Sequence, residues 1–310
     1  MPAPPLDKEP KQKDLVLVNP LAGGGRGAKE LVRLHQFARS NGWDTEFLVT
    51  ANAADLVEKA LSAASAGQQR IFVLGGDGTF QLAINALGAA SPVSLGMIPA
   101  GGGNDLATAL CLPSDAVAAA KMLLDAEVVS IDVVRVRTSD GRERLYCGGG
   151  GLGLDAEASR LASEVYRHIA GRLRYVLAAI RAWHTRSPID VQVQFAADEE
   201  PTIYRSALLV SVLNTPSFGA GIRLAPGARL DDGELDLVVL ENLNFWEVLA
   251  LLPALLFRGE VRTRRIHRRR IRRVRIEAGQ PCAFHGDGEI LGTTPVDIEI
   301  VPQAIRVLRP

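Results

Sequence analysis

The sequence predicts two folded units: an α/β domain built on a parallel sheet, then a mostly antiparallel β domain in the form of a sandwich. Three observations lead there. Short apolar runs alternate with helix-spaced segments from Leu15 to Leu124, and three of those runs end in glycine-rich loops. Beyond about Val129 the pattern changes to strand-like alternation punctuated by turn signals. Repetition of strand, loop and helix requires right-handed crossovers and therefore parallel strands.

Leu15–Val18 reads as a buried strand, 23–27 as a loop, and Lys29–Asn41 as a helix with Leu31, Leu34 and Phe37 on its apolar face. A strand at Asp44–Val49 and a helix at Ala53–Ala66 follow. Ile71–Leu74 is a third strand that runs into Gly-Gly-Asp-Gly-Thr. A helix at Phe80–Leu87 and a strand at Val93–Ile98 lead to Gly-Gly-Gly-Asn-Asp, and two Ala-rich helices at Asp105–Leu110 and Asp115–Leu124 close this half. Further strands are predicted at Val129–Val136, Asp190–Phe195, Ala207–Leu213, Leu235–Leu240, Arg273–Ile276 and Val296–Ile300. DG, PG and GDG turns separate them, and helices interrupt only at Leu173–Trp183 and Phe245–Phe257. The boundary falls near Ser130–Arg137. The expected division is a flexible tail at 1–13, the α/β domain at 14–133 and the β domain at 134–310, whose last residues can return to the first domain.

The 310 residues are 47% hydrophobic and 23% charged, ordinary values for a two-domain globular chain. A formal net charge of +0 provides no global field for nucleic acid or anionic lipid, so any such attraction must be local. Cys111, Cys147 and Cys282 are scattered without metal-ligand spacing, which fits a reducing cytoplasm better than a disulfide framework. The polar, Pro-rich N-terminus lacks the apolar core of a signal peptide. The apolar run Leu249–Phe257 is too short to span a bilayer and contains Pro253, so an integral membrane protein is not expected.

Asn19–Gly27 (NPLAGGGRG), Gly75–Thr79 (GGDGT) and Pro99–Asp105 (PAGGGND) each follow a strand of the first domain. In a parallel sheet such loops share one rim, where ligands bind. Glycines admit backbone N–H groups to an anion and let the next helix aim its positive end at it. One such loop needs glycine merely to turn; three on one rim point to phosphate. Asp77 stands between Gly76 and Gly78. A carboxylate among phosphates has a use when Mg²⁺ lies between them or when it orients a donor hydroxyl; its purely structural use is to cap the helix starting near Phe80. Thr79 offers a hydroxyl to a phosphate oxygen. Asn104 and Asp105 open the next helix, where capping competes with ligand binding. No GxxxxGK[ST] occurs, and Ala28 stands where a GxGxxG begun at Gly23 would need its last glycine, so neither standard nucleotide fingerprint applies. Far downstream, His285-Gly286-Asp287-Gly288-Glu289 lies between two apolar runs. Its Asp-Gly is a hairpin signal, and either carboxylate can accept the proton of an attacking hydroxyl.

Taken together these motifs resemble the diacylglycerol kinase catalytic family, bacterial lipid kinases related to the sphingosine and ceramide kinases. The resemblance runs from Asp14 to Pro310 through NPLAGGG, GGDGT, PAGGGND followed by Leu106 and Ala107, LAPGARLDDGELD, and the late DGE. GGDGT alone is shared with NAD kinases and phosphofructokinase-like enzymes; DDGELD and a C-terminal DGE at this spacing are more specific. The resemblance implies ATP in the cleft between a phosphofructokinase- or NAD-kinase-like nucleotide domain and a β-sandwich. Contacts are implied at Asn19, Pro20, Gly23, Gly24 and Thr50, at Gly75, Gly76, Asp77, Gly78 and Thr79, and at Gly102, Asn104 and Asp105. The proton acceptor it implies is Asp287 or Glu289, with Asp77 assisting. A structural Mg²⁺ is implied beside the DDG turn, bound by the Asp232 side chain and the carbonyls of Arg229 and Glu234. Gln81 and Leu82 stand where the family usually has Asn-Glu, Gly102 where it usually has Thr, and Gly148–Gly151 where its loop usually carries an Asn.

The implied reaction is transfer of the γ-phosphoryl group of Mg-ATP to a hydroxyl of a diacylglycerol-like or sphingoid lipid. A cytoplasmic protein in peripheral contact with the inner face of the membrane would carry it out, with Arg26 and the glycine loops holding the phosphates. Arg258–Arg275 is crowded with arginine and follows the apolar Phe245–Phe257, a combination suited to anionic lipid. The competing reading is a solvated, strand-protecting arginine face. Nucleic acid is not an expected partner, because the segment lacks aromatic residues for stacking. An NAD kinase is the enzymatic alternative. A lipid- and nucleotide-binding protein without catalysis is the other, argued by Leu82 and Gly102. No motif encodes the oligomeric state.

Overall fold

The computed structural model describes residues 13–310 except 167, 170–172, 186, 196–199, 220, 245, 248–249 and 251–262. The expected tail lies outside the described residues apart from Lys13, as do most of the helix expected at Phe245–Phe257 and the first residues of the arginine segment.

The first half comprises β1 (Asp14–Val18), α1 (Ala22–Asn41), β2 (Thr45–Val49), α2 (Ala53–Ser65), β3 (Arg70–Gly75), α3 (Asp77–Leu87), β4 (Ser94–Pro99), α4 (Asp105–Ala109) and α5 (Ala116–Leu124). The four strands are parallel, ordered β4-β3-β1-β2. Helices cover the sheet, so its central strands are apolar on both faces: Val16, Leu17, Phe72, Leu74, Met97 and Ile98 are all buried. α1 begins with a left-handed turn in which Gly23, Gly24 and Gly25 have φ of 60°, 74° and 91°. Side chains with a Cβ rarely adopt this conformation, so the glycines let the chain curl around the rim before regular helix starts.

The second half comprises β5 (Glu127–Arg137), β6 (Glu143–Tyr146), β7 (Gly149–Gly153), α6 (Leu154–Glu164), α7 (Leu173–Thr185), β8 (Ile189–Gln194), β9 (Thr202–Leu213), β10 (Leu235–Glu241), β11 (Ile266–Ile271), β12 (Arg273–Ala278), β13 (Ala283–Gly286), β14 (Glu289–Thr293) and β15 (Val296–Arg309). The strands are antiparallel and enclose a second core containing Tyr146, Val210, Leu237, Ile276 and Phe284. β5 and β15 connect the halves. Asp297–Val301 pairs with Val133–Arg137, and Ile305–Arg309 pairs with Glu127–Ile131 across an irregularity at Val301–Ile305. β15 also pairs with β4 in parallel, so the described strands form one hydrogen-bonded sheet.

Several elements differ from the sequence expectation. β15 is far longer than Val296–Ile300, because Pro302 and Gln303 (φ 48°) break the alternation without ending the strand. α6 follows a glycine run and carries a mixed polar sequence that gives no clean apolar stripe. β7 is the glycine run itself; it pairs with β9 and β13, whose backbones leave no room for larger side chains. β11, Ile-His-Arg-Arg-Arg-Ile, pairs among the described strands only with β10, at the edge of the sheet, and its arginines hid the alternation.

Candidate active site

The three glycine loops meet at the C-terminal ends of β1, β3 and β4 and are bonded to one another. The Asn19 amide donates to Thr79 Oγ1 at 2.9 Å, and the Asn19 backbone N–H donates to the Leu74 carbonyl at 3.0 Å, joining the first loop to the second. The Ala100 N–H donates to the Gly75 carbonyl at 2.7 Å, joining the second to the third. Gly76 and Gly101 pack backbone to backbone; a Cβ on Gly101 would lie 2.5 Å from Gly76 Cα. Asn104 has φ of 61° and folds back on its own loop, accepting from Gly101 N–H at 2.9 Å and donating to the Gly101 carbonyl at 3.0 Å. Thr50 is buried at the end of β2, its hydroxyl donating to the Val18 carbonyl at 2.9 Å. The Pro20 carbonyl accepts from Ala28 N–H at 3.1 Å, and Gly102 lies half-buried on the rim. Arg26 is spent on the Ser114 carbonyl, at 2.7 Å, and on Glu30.

Asp77 does not cap its own helix as the structural reading expected. α3 begins at Asp77 itself, with Gly76 in the cap position, which frees the side chain to turn toward α4. There it accepts from Asp105 N–H at 3.2 Å and Leu106 N–H at 3.1 Å, filling the role that neither Asn104 nor Asp105 takes. Asp105 faces the other half of the chain, where its Oδ1 accepts from Ser217 Oγ at 2.9 Å.

The DGE segment closes over this rim. Asp287 and Gly288 have φ of 48° and 90°, the left-handed pair of a tight hairpin between β13 and β14. Gln81 donates to the Gly286 carbonyl at 3.1 Å and fastens α3 to the hairpin. The Asp287 carboxylate is aimed inward and accepts three backbone N–H bonds, from Cys147 at 2.8 Å, Gly148 at 2.9 Å and Gly149 at 3.1 Å. Glu289 extends over α3: a Cβ on Gly78 would stand 3.0 Å from its Oε1. Asp77, Asp105, Asp287 and Glu289 therefore surround one cleft, with nucleotide-type loops on one wall and the hairpin on the other.

The carboxylates strain one another electrostatically. Loss of solvent, then the neighbouring charges of Asp105 and Asp287, push Asp77 up to about 7 from 3.8. Loss of solvent raises Asp287 to about 6, against the opposing pull of its three N–H donors. Burial also raises Glu289. An acid whose folded pKa exceeds its unfolded value takes up a proton on folding at intermediate pH, so its stabilising contribution fades as pH rises through that window. Asp77→Asn removes one such titration. Relative to wild type, its thermal midpoint is expected to improve as pH rises from 3.8 to about 7, the span of the Asp77 shift, and to change no further above it. A midpoint difference that does not change with pH would contradict the shift.

The residues given the metal role are placed differently. Asp232 Oδ1 accepts from Glu234 N–H at 3.2 Å, and its Oδ2 forms an ion pair with Arg270. The same guanidinium meets Glu234 Oε2 at 3.0 Å, while the Arg229 side chain pairs with Asp231 at 3.1 Å. This donor set fits Mg²⁺ poorly, because its one side-chain ligand already has a guanidinium for a counter-ion. Among the described residues no three His, Cys, Asp or Glu side chains are arranged to hold an ion.

Other contributors went unread in the sequence. Asn214 donates to the Asp132 carbonyl at 3.2 Å and the Cys147 carbonyl at 3.1 Å, setting the link between β6 and β7 that presents N–H groups to Asp287. Fully buried His285 stacks near Phe218, with Nε2 3.5 Å from Asp155 Oδ2, which also accepts from Ser211 Oγ at 2.6 Å.

Comparison with known proteins accounts for this arrangement. Residues 13–136 match the diacylglycerol kinase catalytic domain, and residues 150–309 match the YegS C-terminal NAD kinase beta sandwich-like domain. The chain belongs to the diacylglycerol kinase family. A diacylglycerol kinase of Mycobacterium tuberculosis is 29% identical over 299 residues, covering 96% of this chain and 95% of that one. A Pseudomonas fluorescens protein named probable lipid kinase YegS-like is 30% identical over 275 residues, 88% of each chain. A crystal structure described as a diacylglycerol kinase from Bacillus anthracis str. Sterne, 22% identical, shares the fold with TM-score 0.70 over 96% of this chain and 97% of its own. The family-level resemblance and the fold class read from the sequence agree with these matches, and the cleft lies where the two matched stretches face each other. No helix among the described residues is long and apolar enough to cross a membrane.

Proposed function

We propose that this chain is an ATP-dependent lipid kinase in which Asp287 accepts the proton of the acceptor hydroxyl. The observation that carries the proposal is the Asp287 carboxylate, fixed by three backbone N–H groups and facing Asp77 across a rim of three linked glycine loops. The loops at Asn19–Gly27, Gly75–Thr79 and Pro99–Asp105 bind the nucleotide phosphates through backbone N–H groups other than those of Asp105 and Leu106, which Asp77 already holds. The acceptor oxygen attacks the γ-phosphorus, the bond from that phosphorus to the β–γ bridging oxygen breaks, and ADP leaves. The hydroxyl proton passes to Asp287, whose two oxygens have one more acceptor position than its three N–H partners occupy. Asp77 is pinned by the α4 N–H groups and orients the acceptor side of the cleft.

The mutual repulsion of Asp77, Asp105 and Asp287 fits a site in which these carboxylates would hold Mg²⁺ when nucleotide is bound. That ion supplies charge neutralisation to the transferring phosphoryl group. Between Asp287 and Glu289 the geometry favours Asp287, because three N–H groups fix its carboxylate, whereas Glu289 reaches over α3. The acceptor is a diacylglycerol-like or sphingoid lipid drawn from the inner face of the membrane by a peripheral cytoplasmic protein.

The test is transfer of radiolabelled γ-phosphate to diacylglycerol, monoacylglycerol, ceramide, sphingosine, phosphatidylglycerol and NAD in anionic mixed micelles. Label on a lipid is expected and names the acceptor. Label on NAD alone would replace the reading with an NAD kinase. No label, with ATP binding intact, would make the chain a non-catalytic family member.

A further inference from the structure

The DDG turn concentrates negative charge. Asp231, Asp232 and Glu234 fall within four positions, and buried Asp132 approaches from below, accepting from Gly233 N–H at 2.7 Å and Gln303 N–H at 2.8 Å. Like charges this close require a positive charge among them, and register supplies it. β10 starts directly after the turn and pairs with β11 so that Asp236 lies opposite Arg270, which brings the Arg270 guanidinium to the foot of the turn. From there it forms ion pairs with both Asp232 and Glu234. Asp231 is served by Arg229 at 3.1 Å and Arg309 at 3.5 Å. A planar guanidinium with five donors bridges two carboxylates well, whereas Mg²⁺ demands near-octahedral oxygen ligation. Asp232 Oδ1 accepts from Glu234 N–H and Oδ2 pairs with Arg270, so the one side chain offered to a divalent ion already has its charge matched by a guanidinium.

We propose that the Arg270 guanidinium is the resident cation of the DDG turn, which therefore keeps its conformation without a divalent ion. This separates the turn from any metal that accompanies the nucleotide in the cleft. It also assigns one arginine of the basic segment a fixed intramolecular task.

The test uses the full chain without nucleotide. Thermal midpoints are compared in EDTA and in millimolar Mg²⁺, and Mn²⁺ uptake is followed from the free-ion electron paramagnetic resonance signal. Wild type is expected to have the same midpoint in both media. Arg270→Ala is expected to lower the EDTA midpoint by about 3 °C, the scale of a partly exposed ion-pair network in a chain of this size. Arg270→Lys keeps a charge but not the fork and should fall between them. A wild-type midpoint that drops in EDTA and recovers in Mg²⁺ would overturn the proposal, as would Mn²⁺ uptake that Asp232→Asn abolishes. So would an Arg270→Ala midpoint equal to wild type. Uptake that survives Asp232→Asn belongs to another site and leaves the turn metal-free as proposed.

Discussion

Asp287→Asn is expected to lower turnover roughly a hundredfold or more, the usual scale of a lost general base. KM for ATP should change little, since Asp287 comes from the hairpin and not from the glycine loops. An amide oxygen can still accept N–H bonds, but the NH₂ end cannot, so one of the contacts to Cys147, Gly148 and Gly149 is lost along with the basicity. The two effects are separable. Loss of a hydrogen bond lowers the thermal midpoint, whereas loss of the base lowers kcat and removes the acidic limb of the pH–rate profile. In wild type that limb should fall below about pH 6, because only the ionised carboxylate takes the proton. Glu289→Gln provides the comparison. Its side chain reaches over α3 instead of joining the N–H groups that fix Asp287, so turnover should stay within about tenfold of wild type, short of the general-base scale. If Glu289→Gln lost as much turnover as Asp287→Asn, or if Asp287→Asn kept wild-type turnover, the base would have been assigned to the wrong carboxylate.

Much of this was legible in the sequence, for physical reasons that also explain what was not. Parallel strands buried on both faces write themselves as apolar runs, and each loop that lets backbone approach an anion must be glycine-rich, so β1, β3 and β4 and their loops could be read directly. The Asp287-Gly288 hairpin was equally visible, because left-handed backbone restricts which residues can occupy it. What the sequence could not show was the partner of each group. Asp287 is held by backbone N–H groups nearly 140 positions earlier, and backbone donors leave no residue-type signature. The carboxylate of Asp77 was found, but its target, the N-terminus of α4, depends on how two loops stack. The acids of the DDG turn were plain, whereas Arg270, 38 positions away, was one arginine among many until the β10–β11 register singled it out. Its neighbours are also engaged: Arg268 donates to the Leu224 carbonyl at 2.9 Å, and Arg269 lies 3.8 Å above the Phe195 ring. A basic run therefore says little about lipid contact until its internal bonds are known.

Gly101→Ala should damage nucleotide use from a position with no polar side chain to lose. A Cβ there would sit 2.5 Å from Gly76 Cα and 2.6 Å from Asn104 Oδ1, closer than real Cβ atoms approach any neighbour. Neither neighbour yields cheaply. Gly76 is the cap position of α3, and the Asn104 amide is bonded to both the N–H and the carbonyl of Gly101 itself. The second and third loops must therefore separate, taking with them the backbone N–H groups proposed to hold phosphate. Overpacking of this kind costs about 1–3 kcal/mol, which as a binding penalty raises KM for ATP by roughly 5- to 150-fold. The KM for the lipid acceptor should move far less. Gly279→Ala is the control: an added Cβ there meets no heavy atom within 4 Å, and both constants should be unchanged. Should Gly101→Ala raise the lipid KM while leaving that for ATP untouched, the glycine rim would belong to the acceptor side, and the assignment of the two walls of the cleft would have to be exchanged.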